Sequence, residues 1–65
     1  MRDLLVRDEG SIYLLVPVTP AGQEWVDENL PADAPTWGTA IAIEHRYIAD
    51  IVNGAIADGL TVGNH

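Results

Sequence analysis

The sequence has 65 residues and no cysteine, and this combination restricts the possible folds more than any other feature. A chain of this length buries only about 60% of the surface that its unfolded form exposes, so its hydrophobic core is thin. Domains of this size usually depend on disulfides, a metal ion or oligomerisation, and the lack of cysteine excludes disulfides and thiolate-bound metals. Because 48% of the residues are hydrophobic, disorder is disfavoured. We expect one domain over residues 1–62, open to self-association, with residues 63–65 as a frayed tail.

The first part of the chain is typical of a β-hairpin. Residues 4–7 and 11–18 are apolar runs that favour strands, and the turn between them contains Gly10, which can adopt positive φ. The second run is apolar on both faces, which indicates a central or covered strand. Pro17 should end this strand or lie at an edge, because proline has no N–H for the ladder. A third strand is predicted over residues 39–44, where isoleucines alternate after a glycine.

Two helices are predicted from their ends and their periodicity. Thr19 followed by Pro20 is a helix-start signature and predicts a helix over residues 20–29. Apolar pairs recur every four residues between Tyr47 and Ile56, which predicts an amphipathic helix that ends at Gly59. The resulting fold class is α+β, in the order β-β-α-β-α. We expect a three-stranded, mostly antiparallel sheet with both helices on one face.

The charge of the chain limits its partners. There are ten acidic residues, three arginines and no lysine, which gives a net charge of −7. Direct binding to nucleic acid or to an anionic membrane is disfavoured, because affinity for phosphates comes from Lys and Arg. The charge favours a basic protein partner, although acidity can also serve solubility alone. Since neither a secretory signal nor a run of about 18 apolar residues is apparent, we expect a cytoplasmic protein.

The sequence contains no recognisable catalytic set. Ser11 lacks the G-x-S-x-G context of a hydrolase nucleophile, and without Cys or Lys there is no thiol nucleophile, Schiff base or phosphate-binding P-loop. His45 and His65 are far apart in sequence, and the carboxylates do not form an EF-hand pattern. We therefore expect no enzyme activity, no catalytic residue, no cofactor and no metal.

Candidate partner-binding residues are the acids that the predicted elements place near one another, together with one tryptophan. If the hairpin tip and the first helix face the same side, their acids form a negative stripe that is similar to a nucleic-acid backbone. Trp37 either fills the thin core or is exposed as a binding anchor. The set is Asp8, Glu9, Glu24, Asp27, Glu28, Asp33 and Trp37.

Several segments together resemble a known group of proteins. Residues 10–20, Trp25, residues 44–51 and Asp58-Gly59-Leu60 are similar to short acidic proteins encoded by phages and other bacterial mobile elements, which we associate with anti-CRISPR inhibitors of a type I system. The resemblance implies a phage protein that binds the CRISPR surveillance complex in the host cytoplasm. Joined to the charge, it implies a DNA mimic that occupies the basic site where target DNA enters. The alternative is a small antitoxin-like or homodimeric regulatory interaction protein.

Overall fold

Two helices and a five-stranded sheet make up residues 2–64, the part of the chain that the computed structural model describes. The class is α+β, as the sequence predicted. The elements are β1 Leu4–Asp8, β2 Ile12–Pro17, α1 Pro20–Asn29, β3 Thr36–Trp37, β4 Ala40–Glu44, α2 His45–Ala57 and β5 Val62–Asn64. The strand order is β3-β4-β2-β1-β5, with β1 and β5 parallel and the other neighbours antiparallel.

The predicted hairpin forms the centre of this sheet. β1 and β2 pair with Val6 opposite Leu15. In the turn, the N–H of Gly10 donates to the Asp8 carboxylate over 2.8 Å, and Gly10 has a φ of 90°, which a residue without a Cβ adopts at little cost. β2 lies between β1 and β4 and ends at Pro17, so the prediction of a central strand that stops at this proline is confirmed.

The prediction of three strands was wrong, because the sheet has five. β3 contains only Thr36 and Trp37, and it follows a proline-containing loop whose composition hides so short a strand. β5 pairs in parallel with β1, so its stability depends on contacts with residues almost sixty positions earlier. It includes Gly63 and Asn64, which we expected in a frayed tail; His65 lies outside the described residues.

Helix α1 has the predicted bounds, and its first turn shows why. The side chain of Thr19 caps the helix by accepting a hydrogen bond from the N–H of Gly22 over 3.1 Å, and Pro20 follows at the first helical position. Gly22, Trp25 and Val26 form the buried side of the helix. A Cβ at Gly22 would collide with the backbone carbonyl of Asp3, so glycine permits the close approach of α1 to the start of β1.

Helix α2 begins directly after β4 and ends at the predicted glycine. The N–H of Gly59 donates to the carbonyl of Ile56, and the N–H of Leu60 donates to that of Ala55, both over 3.0 Å. With a φ of 91° at Gly59, these bonds form a Schellman motif. The apolar stripe of α2 is only partly covered, since Tyr47 is 49% exposed and Ile56 is 54% exposed. Neither α1 nor α2 is both long enough and apolar enough to cross a membrane.

Asp3 connects three segments at the end of the sheet where β1 begins. Its carboxylate accepts a hydrogen bond from the Thr19 hydroxyl over 2.7 Å and another from the N–H of Thr61 over 3.0 Å. The Thr19 hydroxyl, and then the Thr61 N–H, lower the pKa of Asp3 because both donors stabilise the carboxylate. Asp3 therefore joins the start of β1 to the cap of α1 and to the segment that leads into β5.

The two faces of the sheet differ in what covers them. On the inner face, alternate strand residues such as Val6, Leu15 and Ile41 pack with Trp25, Val26 and Ala55 of the helices. The other alternate residues form the outer face, which no helix or strand among residues 2–64 covers. The outer-face residues are Leu5, Arg7, Ile12, Leu14, Val16, Trp37, Ala40, Ala42, Glu44 and Gly63.

Candidate functional site

Most of the negative charge lies on one side of the molecule. Helix α1, the loop after it and helix α2 with its C-cap carry six exposed carboxylates and a single arginine, Arg46. We call these six residues the acidic helical layer: Glu24, Asp27, Glu28, Asp33, Asp50 and Asp58. The outer face of the sheet carries one carboxylate, Glu44, so the layer and the outer face present opposite sides with different charge.

The carboxylates of the acidic helical layer are not neutralised by arginine within residues 2–64. The ion pairs in this part of the chain join Arg7 to Glu9 over 2.6 Å and Arg46 to Glu44 over 3.1 Å, and both lie outside the layer. Asp27 accepts a hydrogen bond from the amide of Gln23 over 3.0 Å, which is a neutral donor. The layer therefore keeps its full charge and favours a cationic partner.

The hairpin tip and the start of α1 lie at opposite ends of β1. Helix α1 begins beside Leu4, at the end of β1 opposite the tip, and β1 separates the two by about 13 Å at 3.3 Å per residue. Glu9 at the tip is paired with Arg7, and the Asp8 carboxylate is used by the turn. Of the predicted acids, Asp8 and Glu9 are thus engaged at the hairpin tip, whereas Glu24, Asp27, Glu28 and Asp33 lie on α1 and the loop after it.

A groove with an apolar floor crosses the acidic helical layer between the loop after α1 and the first turns of α2. It has a volume of about 470 Å³, and Leu30 and Ile51 contribute to its lining. Asp33, Glu44 and Asp50 supply three carboxylates to the same groove. The groove suits a long basic side chain, because the methylene stem can lie on apolar surface while the cationic end meets carboxylates.

A second groove is more polar and lies between α1 and the end of α2. Glu24, Glu28 and Asp58 line this groove, which has a volume of about 500 Å³. Asp58 also accepts a hydrogen bond from the indole N–H of Trp25 over 2.8 Å, which fixes the position of its carboxylate. No group of three metal-ligating side chains in residues 2–64 is arranged to hold a metal ion.

Asp50 and Asp58 were not among the predicted partner-binding residues, although both complete grooves in the layer. Their only signal in the sequence is a position on the polar side of the predicted second helix. Trp37, the one apolar residue in the predicted set, is 57% exposed and lies on the outer face rather than beside the acids. Trp25, by contrast, is buried in the core.

His45 begins α2 and its ring lies 4.7 Å from the ring of Tyr13, measured between centroids. The contact is a tilted aromatic pair at the end of the sheet.

No family model, curated protein or solved structure matches this chain in comparisons with known proteins. The case for a function therefore depends on the surface of the molecule.

Proposed function

We propose that this chain is an acidic inhibitor that binds the basic, nucleic-acid-binding site of a protein complex. The observation that carries the proposal is the acidic helical layer, whose six exposed carboxylates form no ion pair within the described residues. A surface of this kind attracts a groove lined with Lys and Arg, and it competes there with the phosphates of a nucleic acid.

The resemblance noted in the sequence supplies the specific partner of the proposal. In that form, the protein is a phage-encoded anti-CRISPR inhibitor, and its layer occupies the site where target DNA enters a type I surveillance complex. Asp27 and Glu28 lie on the exposed side of α1, and Asp33 and Asp50 line the neighbouring groove with its apolar floor. This arrangement offers a basic side chain both a carboxylate and a surface for its methylenes.

The experiment compares charge reversal in the layer with the same reversal elsewhere. A type I surveillance complex is loaded with guide RNA, and binding of labelled target DNA is measured by fluorescence anisotropy against increasing concentrations of this protein. Asp27→Lys with Glu28→Lys reverses two charges in the layer, and Asp8→Lys with Glu9→Lys makes the same change in net charge at the hairpin tip. Circular dichroism verifies that each variant is folded.

We expect the variant of the layer to lose at least about tenfold in inhibition, which corresponds to about 1.4 kcal/mol. We expect the variant of the tip to inhibit nearly as well as the original chain, because the tip lies at the other end of the hairpin. Equal losses in both variants would mean that net charge alone is responsible. Undiminished inhibition by the variant of the layer would contradict the proposed surface.

A second candidate is a homodimeric regulatory protein, and the uncovered outer face of the sheet is the observation that favours it. The two candidates use different surfaces of the molecule. An inhibitor that binds through the acidic helical layer can also associate with a copy of itself through the sheet.

A further inference from the structure

We propose that the outer face of the sheet is a homodimer interface in which two copies pack sheet against sheet. Its centre is apolar, since Leu5, Leu14 and Val16 of the two central strands project on this side. Both helices lie on the other side, so no helix of residues 2–64 covers this face; within it Leu14 and Ala40 are already buried, and Arg2 lies over Gly63. Two of the four most exposed large apolar residues in residues 2–64 lie on or beside this face, Trp37 at 57% and Val18, just beyond β2, at 47%; the other two, Tyr47 and Ile56, lie on α2.

The charge distribution favours a second copy as the occupant. Two chains of net charge −7 repel each other unless their acidic surfaces point apart. Face-to-face packing of the sheets achieves this, because sheets pack about 10 Å apart and a helix layer adds about 10 Å on each side. The two acidic helical layers are then about 30 Å apart, well beyond the screening length of about 8 Å at physiological ionic strength.

The outer face is nearly neutral, so it adds little repulsion of its own. Its charged side chains are Arg7 and Glu44, and the side chain of Arg2 lies against Gly63 at the edge formed by β5. The outer face therefore differs in net charge from the acidic helical layer. Two identical copies of a nearly neutral face can meet without bringing an excess of like charges together.

One row of residues across the outer face is self-complementary under two-fold symmetry. From one edge of the sheet to the other, the row is Gly63, Leu5, Val16, Ala40 and Trp37. A two-fold axis parallel to β2 between the sheets reverses this row, so Trp37 of each copy lies over Gly63 and Arg2 of the other. The side chain of Arg2 covers Gly63, so the indole ring would meet Arg2, whose guanidinium can lie on the face of the ring as a cation–π pair.

The size of the face sets the strength of the interaction. Five strands spaced about 4.8 Å apart, with central strands of five or six residues, give a face of roughly 24 by 16 Å. Two such faces have a combined flat area of roughly 770 Å², which is below the roughly 1,000 Å² of a stable, specific interface and typical of a weak one. We therefore expect a weak, reversible dimer that forms toward the upper end of the accessible concentration range and dissociates on dilution.

The test is sedimentation equilibrium of the full chain over a concentration series from about 1 µM to about 1 mM. Trp37→Lys places a charge in the proposed interface, and Tyr47→Lys is the matched control. Tyr47 is an exposed aromatic residue on α2, so its replacement changes the charge equally without altering a residue of the outer face. Val18→Lys gives an independent second substitution in the interface.

We expect the original chain and Tyr47→Lys to dimerise with similar dissociation constants. We expect Trp37→Lys and Val18→Lys to raise the dissociation constant at least about tenfold while their circular dichroism spectra are unchanged. A chain that stays monomeric throughout, or equal effects at Trp37 and Tyr47, would overturn the proposal. Salt separates this proposal from the proposed function, because added salt should strengthen the dimer and weaken binding to a basic partner.

Discussion

Gly54 lies inside helix α2, and we predict that alanine at this position gives a more stable fold than glycine. Alanine is favoured over glycine in a helix interior by about 0.8–1.0 kcal/mol, because glycine loses more backbone entropy on folding. A Cβ at this position would lie 3.7 Å from Cζ2 of Trp25, which is an ordinary van der Waals contact. Close packing therefore does not require glycine at this position.

The expected effect of Gly54→Ala is a gain of about 1 kcal/mol in the free energy of unfolding, with the new methyl group adding a small contact to Trp25. For a domain of this size, that gain raises the melting temperature by roughly 4–8 °C. Urea unfolding followed by circular dichroism measures the change. All variants are compared at one protein concentration, since dimerisation would make the apparent stability depend on concentration.

Gly22→Ala is the matched control, because it makes the same change inside the other helix. There the new Cβ would collide with the backbone carbonyl oxygen of Asp3, an atom that cannot move without displacing β1. We expect this variant to lose about 1–3 kcal/mol, since the clash outweighs the gain in helix propensity. A loss of stability in Gly54→Ala, or a gain in Gly22→Ala, would refute the packing described for α1 and α2.

Two further predictions concern carboxylates that stabilise the fold. Asp58→Ala leaves the indole N–H of Trp25 without its acceptor and should cost about 1 kcal/mol in urea unfolding, whereas Asp50→Ala on the exposed side of α2 should change stability by less than about 0.5 kcal/mol. Asp3 has a lowered pKa in the folded state, so its contribution is present above the unfolded pKa of about 3.9 and is lost as the pH falls through the folded pKa. Asp3→Asn should therefore lower the urea midpoint at pH 7 and flatten its decline in acid; an unchanged midpoint and slope would contradict the roles of the Thr19 and Thr61 donors.

Local signals were sufficient to predict the helices and the hairpin. Thr19 with Pro20 marked the start of α1, and Gly59 marked the end of α2, because a cap depends on residues within a few positions of it. Gly10 marked the hairpin turn for the same reason. These elements could be placed before the fold was known, since each is specified by its own segment.

The remaining strands and the arrangement of the acids depend on contacts between distant segments. β5 exists through pairing with β1, and β3 through pairing with β4, and neither segment is long enough to indicate a strand by itself. The end of the hairpin at which α1 begins also depends on the fold, because a periodic pattern does not contain it. The bond between Trp25 and Asp58 likewise joins two helices that are far apart in the sequence.

The central claim is that the acidic helical layer binds where a nucleic acid would bind. The most direct measurement is the dissociation constant of this protein for a guide-loaded type I surveillance complex, with and without bound target DNA, at about 50 and 200 mM salt. We expect DNA and this protein to exclude each other, and we expect the affinity of the protein to fall as salt increases. Simultaneous binding of both, or no binding of the protein at low salt, would contradict this claim.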